Sequence, residues 1–268
     1  MIAGRVGLRL VVMLWVTIGI SLSFTCEASD YPLAEAIDDA GRQRMLTQRV
    51  LKSYVQLGLG VQPERAQADL LDAVTLFDTQ YQRLHQWQQG PQVAEQLERV
   101  GHLWEVYKER TLGKVNSSEA QKLLGLSESL LSESDRLVLI LQQLSGSETA
   151  ELINISGRQR MLSQRMAKYY LLSSWGIETP AVSDKMNQLR TEFDTALLML
   201  KSNTLDNTEV AEQLSRIGSG WAWFNGAIQQ PGGERYNLVV VDASEQLLRE
   251  LEQLISLYVT EAKKGASS

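Results

Sequence analysis

Cysteine is almost missing from this sequence of 268 residues: Cys26 is the only one. That excludes a disulfide framework and a multi-thiolate metal site, and it leaves stability to packing alone. Histidine is nearly as scarce. His85 and His102 fall on different predicted helices and have no counterpart elsewhere in the chain, so metal binding and histidine-based catalysis lack support. No G-x-S-x-G elbow, H-E-x-x-H pair or Gly-rich phosphate loop is found, so the expectation is no enzyme, no metal and no cofactor. Basic residues are not in surplus either. With 26 Lys and Arg against 32 Asp and Glu the net charge is -6, which argues against nucleic acid as a partner because phosphate neutralisation needs a cationic surface.

Beyond the first thirty residues no apolar stretch is long enough to span a bilayer. Those first residues carry Arg5 and Arg9, an uncharged run from Leu10 to Phe24, and then Cys26-Glu27-Ala28. This is the layout of a secretory signal. Residues 1–28 are read as a signal peptide cleaved after Ala28, with a retained anchor as the alternative. A lipoprotein processed at Cys26 is disfavoured because Phe24 is bulky where such processing needs a small residue. The expected mature chain is periplasmic and soluble, with no second anchor and no output module of its own.

The remainder is a duplication. Gly41-Arg42-Gln43-Arg44-Met45-Leu46-Thr47-Gln48-Arg49 recurs 116 residues later as Gly157-Arg158-Gln159-Arg160-Met161-Leu162-Ser163-Gln164-Arg165. At the same offset Lys52 matches Lys168, Tyr54 matches Tyr170, and Phe77-Asp78 matches Phe193-Asp194. After one residue of slippage, Val93-Ala94-Glu95-Gln96-Leu97 matches Val210-Ala211-Glu212-Gln213-Leu214, and Trp104 matches Trp221. The repeat is a whole domain rather than a solenoid unit. The units are 29–146 and 147–268, joined through Ser145-Gly146-Ser147.

Strand patterns are absent and the breaks leave four helices per unit. In the first unit Gly58 and Gly60 stop one helix, Pro63 starts the next, Gly90-Pro91 breaks again, and Gly113 with Asn116-Ser117-Ser118 separates the last, where Ser118 and Gln121 fit a capping box. In the second, the breaks fall at Gly176 with Pro180, at Asn203 to Asn207, and at Pro231-Gly232-Gly233. Short connections make neighbouring helices antiparallel. The expected fold is all-α: two tandem antiparallel four-helix bundles forming a pseudo-dimer, with the first helix of each near a pseudo-two-fold axis. Side-by-side bundles without a shared site are the alternative.

A heptad-type seam runs Ile37, Gly41, Arg44, Gln48, Leu51, Val55, and again Ile153, Gly157, Arg160, Gln164, Ala167, Leu171. A buried guanidinium needs an answering group because its desolvation costs several kcal/mol. If Arg44 and Arg160 face each other at about 4 Å, their repulsion is roughly 4 kcal/mol at an effective dielectric of 20. A small anion between them reverses the sign, since the guanidinium fork matches planar oxyanions and carboxylates. Gly41 and Gly157 leave room for it, and Gln48 and Gln164 offer further hydrogen bonds. Arg42, Arg49 and Lys52, like Arg158, Arg165 and Lys168, lie on another face. The competing reading pairs the repeated arginines with acids of neighbouring helices, Asp78 and Asp194 among them. Trp104, Trp221, Phe77 and Phe193 are read as core anchors.

The segments Ala36 to Arg49 and Ile153 to Arg165 resemble the first helix of the sensory module shared by PilJ-type chemotaxis receptors and NarX-like nitrate/nitrite sensor kinases. The resemblance implies nitrate or nitrite as ligand, with Arg44 and Arg160 as direct ligands and Gly41 and Gly157 lining the site. Arg49 and Arg165 match the motif's last arginine, and the extra Arg42 and Arg158 leave room for a more highly charged anion. It also implies a membrane receptor or sensor protein as partner. The runner-up is a helical adaptor that binds no ligand and docks on a receptor, transporter or pilus component.

Overall fold

The computed structural model describes residues 32–87, 89–177, 182–203 and 207–266; the signal segment 1–28 and Pro180 lie outside them. Eight helices account for the described chain: α1 Leu33–Leu59, α2 Pro63–Trp87, α3 Pro91–Thr111, α4 Ser117–Ser145, α5 Glu148–Ser174, α6 Val182–Ser202, α7 Thr208–Ala227 and α8 Glu234–Ala266. Helices α1 to α4 pack in antiparallel sequence as one bundle, and α5 to α8 repeat it.

The termini follow local chemistry. Gly60 ends α1 in the left-handed conformation at φ 68°, where its N–H reaches the carbonyls of Gln56 and Leu57. Pro63 opens α2 and Pro91 opens α3, positions where a missing N–H costs nothing. Helix α4 is capped by Asn116, whose side chain accepts from Glu119 N at 2.9 Å, so the cap is two residues earlier than the Ser118 box. Gly146 closes α4 and Ser147 caps α5 through Ala150 N, making the junction between the helices of the two copies two residues long. Gly58 is not a stop. It lies inside α1, and a Cβ there would come within 2.0 Å of the ring of Trp175, the residue that follows α5; the glycine admits an aromatic from the other copy.

Helices α1 and α5 pack directly on each other, each also against the last helix of its own bundle, and α1 touches α8 as α5 touches α4. The four helices α1, α4, α5 and α8 thus form a central bundle, with α2, α3, α6 and α7 outside it. Enclosure on all sides explains why nearly every residue of α1 from Ala36 to Gln56 is buried, polar ones included. The copies therefore share a core, as a pseudo-dimer requires. In each, an aromatic pair fixes the outer helices: Phe77 stacks on Trp104 at 3.8 Å and Phe193 on Trp221 at 4.1 Å.

Candidate functional site

Where α1 crosses α5, Gly41 and Gly157 meet. A Cβ built on Gly157 would lie 3.9 Å from Gly41 Cα, 3.2 Å from Arg44 Nη2 and 3.6 Å from Arg160 Nη2. One built on Gly41 would sit 3.6 Å from both Nη2 atoms. The glycines thus let two backbones approach and give both guanidinium groups a common space beside them. Arg44 and Arg160 are fully buried, which is the arrangement that the seam predicts.

Carboxylates answer both arginines. Arg44 Nη1 donates to Asp135 Oδ1 at 2.7 Å, and its Nη2 to the carbonyl of Asn154 at 3.1 Å. Arg160 Nη2 donates to Asp38 Oδ1 at 2.6 Å, across the junction of the two copies. Asp78 and Asp194 are not the partners. They accept from the indole N–H groups of Trp104 at 2.7 Å and Trp221 at 2.6 Å, between the outer helices of each bundle. Three nitrogens of these two guanidinium groups are left without a hydrogen-bond partner among the described residues, Arg44 Nε, Arg160 Nε and Arg160 Nη1, as are Arg49 Nε and Arg165 Nε further along the helices. The amides of Gln43 and Gln56, in the same core, are also unpartnered.

Burial dominates the electrostatics. With the neighbouring Arg158 and Arg160 adding to it, burial lowers the Arg44 pKa to about 10 against the pull of Asp135. Arg160 is lowered for the same reason, with Asp38 opposing. Burial alone would raise the Asp38 pKa, but Arg160 and Arg42 hold it below the ordinary carboxylate range.

The outer cations of the motif are employed between copies. Arg42 donates to Glu252 of α8 at 2.9 Å, and Arg158 contacts Asp135 of α4 at 3.4 Å as well as Glu192. One to two turns further along, Arg49 and Lys52 both pair with Glu245 of α8. Their counterparts Arg165 and Lys168 both pair with Glu128 of α4. Each first helix therefore grips the last helix of the other copy. The face that carries Lys52 and Lys168 is covered, leaving both wholly buried, and burial brings Lys168 down to about 8 despite Glu128. Gln48 is also spoken for, and Gln164 is so through its amide nitrogen alone, its Oε1 having no hydrogen-bond partner among the described residues. Gln48 Nε2 donates to Thr47 Oγ1 at 2.8 Å and Gln164 Nε2 to the Ser244 carbonyl at 3.3 Å, while Gln48 Oε1 accepts from Lys168 at 2.6 Å. Of the ten expected site residues, the structure gathers Arg44, Arg160, Gly41 and Gly157 at one point. Arg42 and Arg158 flank that point, and Gln48, Gln164, Arg49 and Arg165 belong to the layers below.

Sequence reasoning missed the acids. The signal was available: Ser127-Glu128-x-Leu130-Leu131-x-Glu133 recurs as Ser244-Glu245-x-Leu247-Leu248-x-Glu250, a second repeat that places the matched glutamates on α4 and α8. Asp38 carried no such signal, since its counterpart is Asn154.

The model of the N-terminal region of type IV pili methyl-accepting chemotaxis transducers, PilJ, matches residues 29–130 and 140–247. The chain belongs to the PilJ family. Each matched segment covers one copy of the arginine helix, and the pseudo-dimer is thus two PilJ units in one chain. The PilJ family is a sensory, non-catalytic one. Comparison with curated proteins and with solved structures gave no match. Among the described residues no group of three or more His, Cys, Asp or Glu is placed to hold a metal ion, and no helix is long and apolar enough to cross a membrane.

Proposed function

We propose that the chain is an exported, periplasmic sensory module that takes one small planar anion between Arg44 and Arg160 and reports its presence to a membrane receptor or sensor protein. In this reading residues 1–28 are removed on export, and 29–146 and 147–268 are the two half-sites. The observation that carries it is the trio of buried, unpartnered guanidinium nitrogens around the Gly41–Gly157 crossing. Buried donors without acceptors cost about 1–3 kcal/mol each, more when charged, and a trigonal oxyanion supplies acceptors in the plane of the guanidinium fork. Nitrate or nitrite is the ligand that the likeness to NarX-like sensors favours.

Asp38 and Asp135 hold the arginines when no anion does. An entering anion competes with Asp135 for Arg44 and with Asp38 for Arg160, so its arrival loosens α4 from α1 and α1 from α5. These helices converge near Pro32 and the Ser145–Ser147 junction, about 18 Å along the axis from Arg44 at 1.5 Å per residue. A change there is what a partner reads.

Thermal unfolding with millimolar nitrate, nitrite, sulfate, phosphate and small carboxylates tests this. An anion bound only by the folded state at 100 times its dissociation constant adds about 2.7 kcal/mol, and Arg44→Ala and Arg160→Ala each abolish the gain. The second reading is a helical adaptor that binds no ligand, favoured by the Arg44–Asp135 and Arg160–Asp38 pairs themselves. It predicts no stabilisation by any of these anions.

A further inference from the structure

Two matched charge clusters lie where each first helix meets the second helix of its own copy and the last helix of the other. In the first copy, between α1, α2 and α8, three cations face three carboxylates. Glu245 accepts from both Arg49 and Lys52, Asp69 meets Arg49 at 3.2 Å, and Arg65 meets Asp242 at 2.9 Å and Asp69 at 3.8 Å. This cluster is neutral, and every charge in it has a partner.

The second copy, between α5, α6 and α4, keeps its cations and loses its acids. Arg165, Lys168 and Glu128 stand at the places of Arg49, Lys52 and Glu245, but Lys185 replaces Asp69 and Gly125 replaces Asp242. Glu128 is left to pair with both Arg165 and Lys168. Lys185, half-buried on α6, has no ion pair among the described residues, although Asp184 precedes it. It stands close enough to Lys168 to depress that ammonium's pKa. Three cations therefore share one carboxylate in a partly enclosed place, where like charges repel more strongly than in water. The face of Tyr169, 4.6 Å from Lys168 Nζ, softens this without supplying a charge. Arg165 Nε donates to nothing; Arg49 Nε is alike in this, but Asp69 stands before that guanidinium. The notch is also open. A Cβ built on Gly125, one turn before Glu128 on α4, would meet nothing within 4 Å.

We propose that this notch between α4, α5 and α6 binds a tetrahedral oxyanion of two negative charges, phosphate or sulfate in class, between Arg165 and Lys185. The charge of the ligand equals the local excess, and it takes the place that the carboxylates of Asp69 and Asp242 fill in the first copy. Arginine supplies directed N–H donors and lysine a mobile point charge, the two ways in which proteins hold such anions. Because the first copy carries its own acids there, the chain has one such site and not two. The site lies about one and a half turns past Arg160 on α5, uses neither Arg44 nor Arg160, and does not depend on a planar anion at the α1–α5 crossing.

Isothermal titration of sulfate and of phosphate into the full chain at low ionic strength tests the proposal. The expected result is one dianion per chain, retained in Arg44→Ala. Lys185→Asp, which restores the acid of the first copy, and Lys185→Gln, which removes the charge alone, each raise the dissociation constant at least about tenfold, equivalent to about 1.4 kcal/mol. Helical circular dichroism of both variants matches that of the wild type, so the loss is one of binding and not of fold. A wild-type chain that takes up neither sulfate nor phosphate overturns the proposal. Binding that survives both Lys185 substitutions overturns it equally, and binding that Arg44→Ala abolishes assigns the dianion to the crossing instead.

Discussion

In the first bundle Phe77 stacks on Trp104, whose indole donates to Asp78; in the second, Phe193 stacks on Trp221, whose indole donates to Asp194. The two copies agree there atom for atom. At the arginine layer they do not. Arg44 is held by Asp135 of its own copy, whereas Arg160 is held by Asp38 of the other. Asp38 is matched by Asn154 and Asp135 by Glu252, which pairs with Arg42 instead. The aromatic anchor has a single local partner and repeats with its sequence. The arginines sit where two copies meet, so one changed acid on either side redistributes the pairs of Arg44 and Arg160, while the pairs of the flanking cations stay matched. Identical cations have acquired unlike anions, and the site has polarity although its motif is symmetric.

The largest effect that would break the comparison is removal of an anchor. Trp104→Ala and Trp221→Ala should each cost about 3–5 kcal/mol in urea unfolding, with Trp221→Ala the worse. Asp78 keeps Lys108 at 3.1 Å after the loss, whereas Asp194 loses the indole that answers it. Equal costs would mean that Lys108 contributes nothing.

Arg44→Ala and Arg160→Ala come next, at about 3 kcal/mol each, because cutting a buried pair strands its partner. The unlike partners give the sharpening: Asp38→Asn should offset part of the loss in Arg160→Ala and none of it in Arg44→Ala. A double-mutant cycle reads the difference.

The buried lysines extend the comparison to pH. Lys168 falls to about 8 in the folded chain against its ordinary 10.5, chiefly through burial. Between those values the unfolded chain binds a proton that the folded chain does not, so stability rises with pH across that window. The folded protein should gain about 1–3 kcal/mol from pH 8 to pH 10 relative to Lys168→Met, measured by chemical denaturation. Lys52 is lowered too, and Lys52→Met should flatten the curve in the same direction.

The glycines give the smallest and most diagnostic effect. Replacing a helical glycine with alanine favours the helix by about 0.8–1 kcal/mol. At Gly41 the new methyl meets guanidinium nitrogens at an ordinary 3.6 Å, so Gly41→Ala should stabilise. At Gly157 it meets Arg44 at 3.2 Å and Gly41 Cα at 3.9 Å, so Gly157→Ala should be neutral or destabilising. Opposite signs at matched positions would locate the tighter half of the site by calorimetric Tm alone.

How far this was legible in the sequence follows from the same contrast. Glycine, proline and asparagine breaks placed all eight helices, and the repeated seam placed Arg44 beside Arg160, because both depend on spacing along one helix. The α4 cap was misplaced by two residues because Ser118 matches the box pattern while Asn116, a better acceptor in extended backbone, precedes it. Helical periodicity places Arg49, Arg165, Lys52 and Lys168 on a face other than the seam, and it cannot tell that a second copy covers that face. Their acids on α4 and α8 were written in the sequence as a repeated S-E-x-L-L-x-E, but pairing one copy's glutamate with the other's lysine needs the three-dimensional crossing. Asp38 was unreadable, since a partner that occurs in only one copy leaves no trace in an internal alignment.

In the proposed function the two arginine helices make one shared anion site. Isothermal titration of nitrate into the protein measures it directly through stoichiometry. The account predicts one anion per chain, lost completely in Arg44→Ala and in Arg160→Ala alike, because each arginine supplies half of the same site. Two anions per chain, or one that survives either substitution, would contradict a shared site, and the absence of binding would make the arginine layer a structural clasp between the two PilJ units.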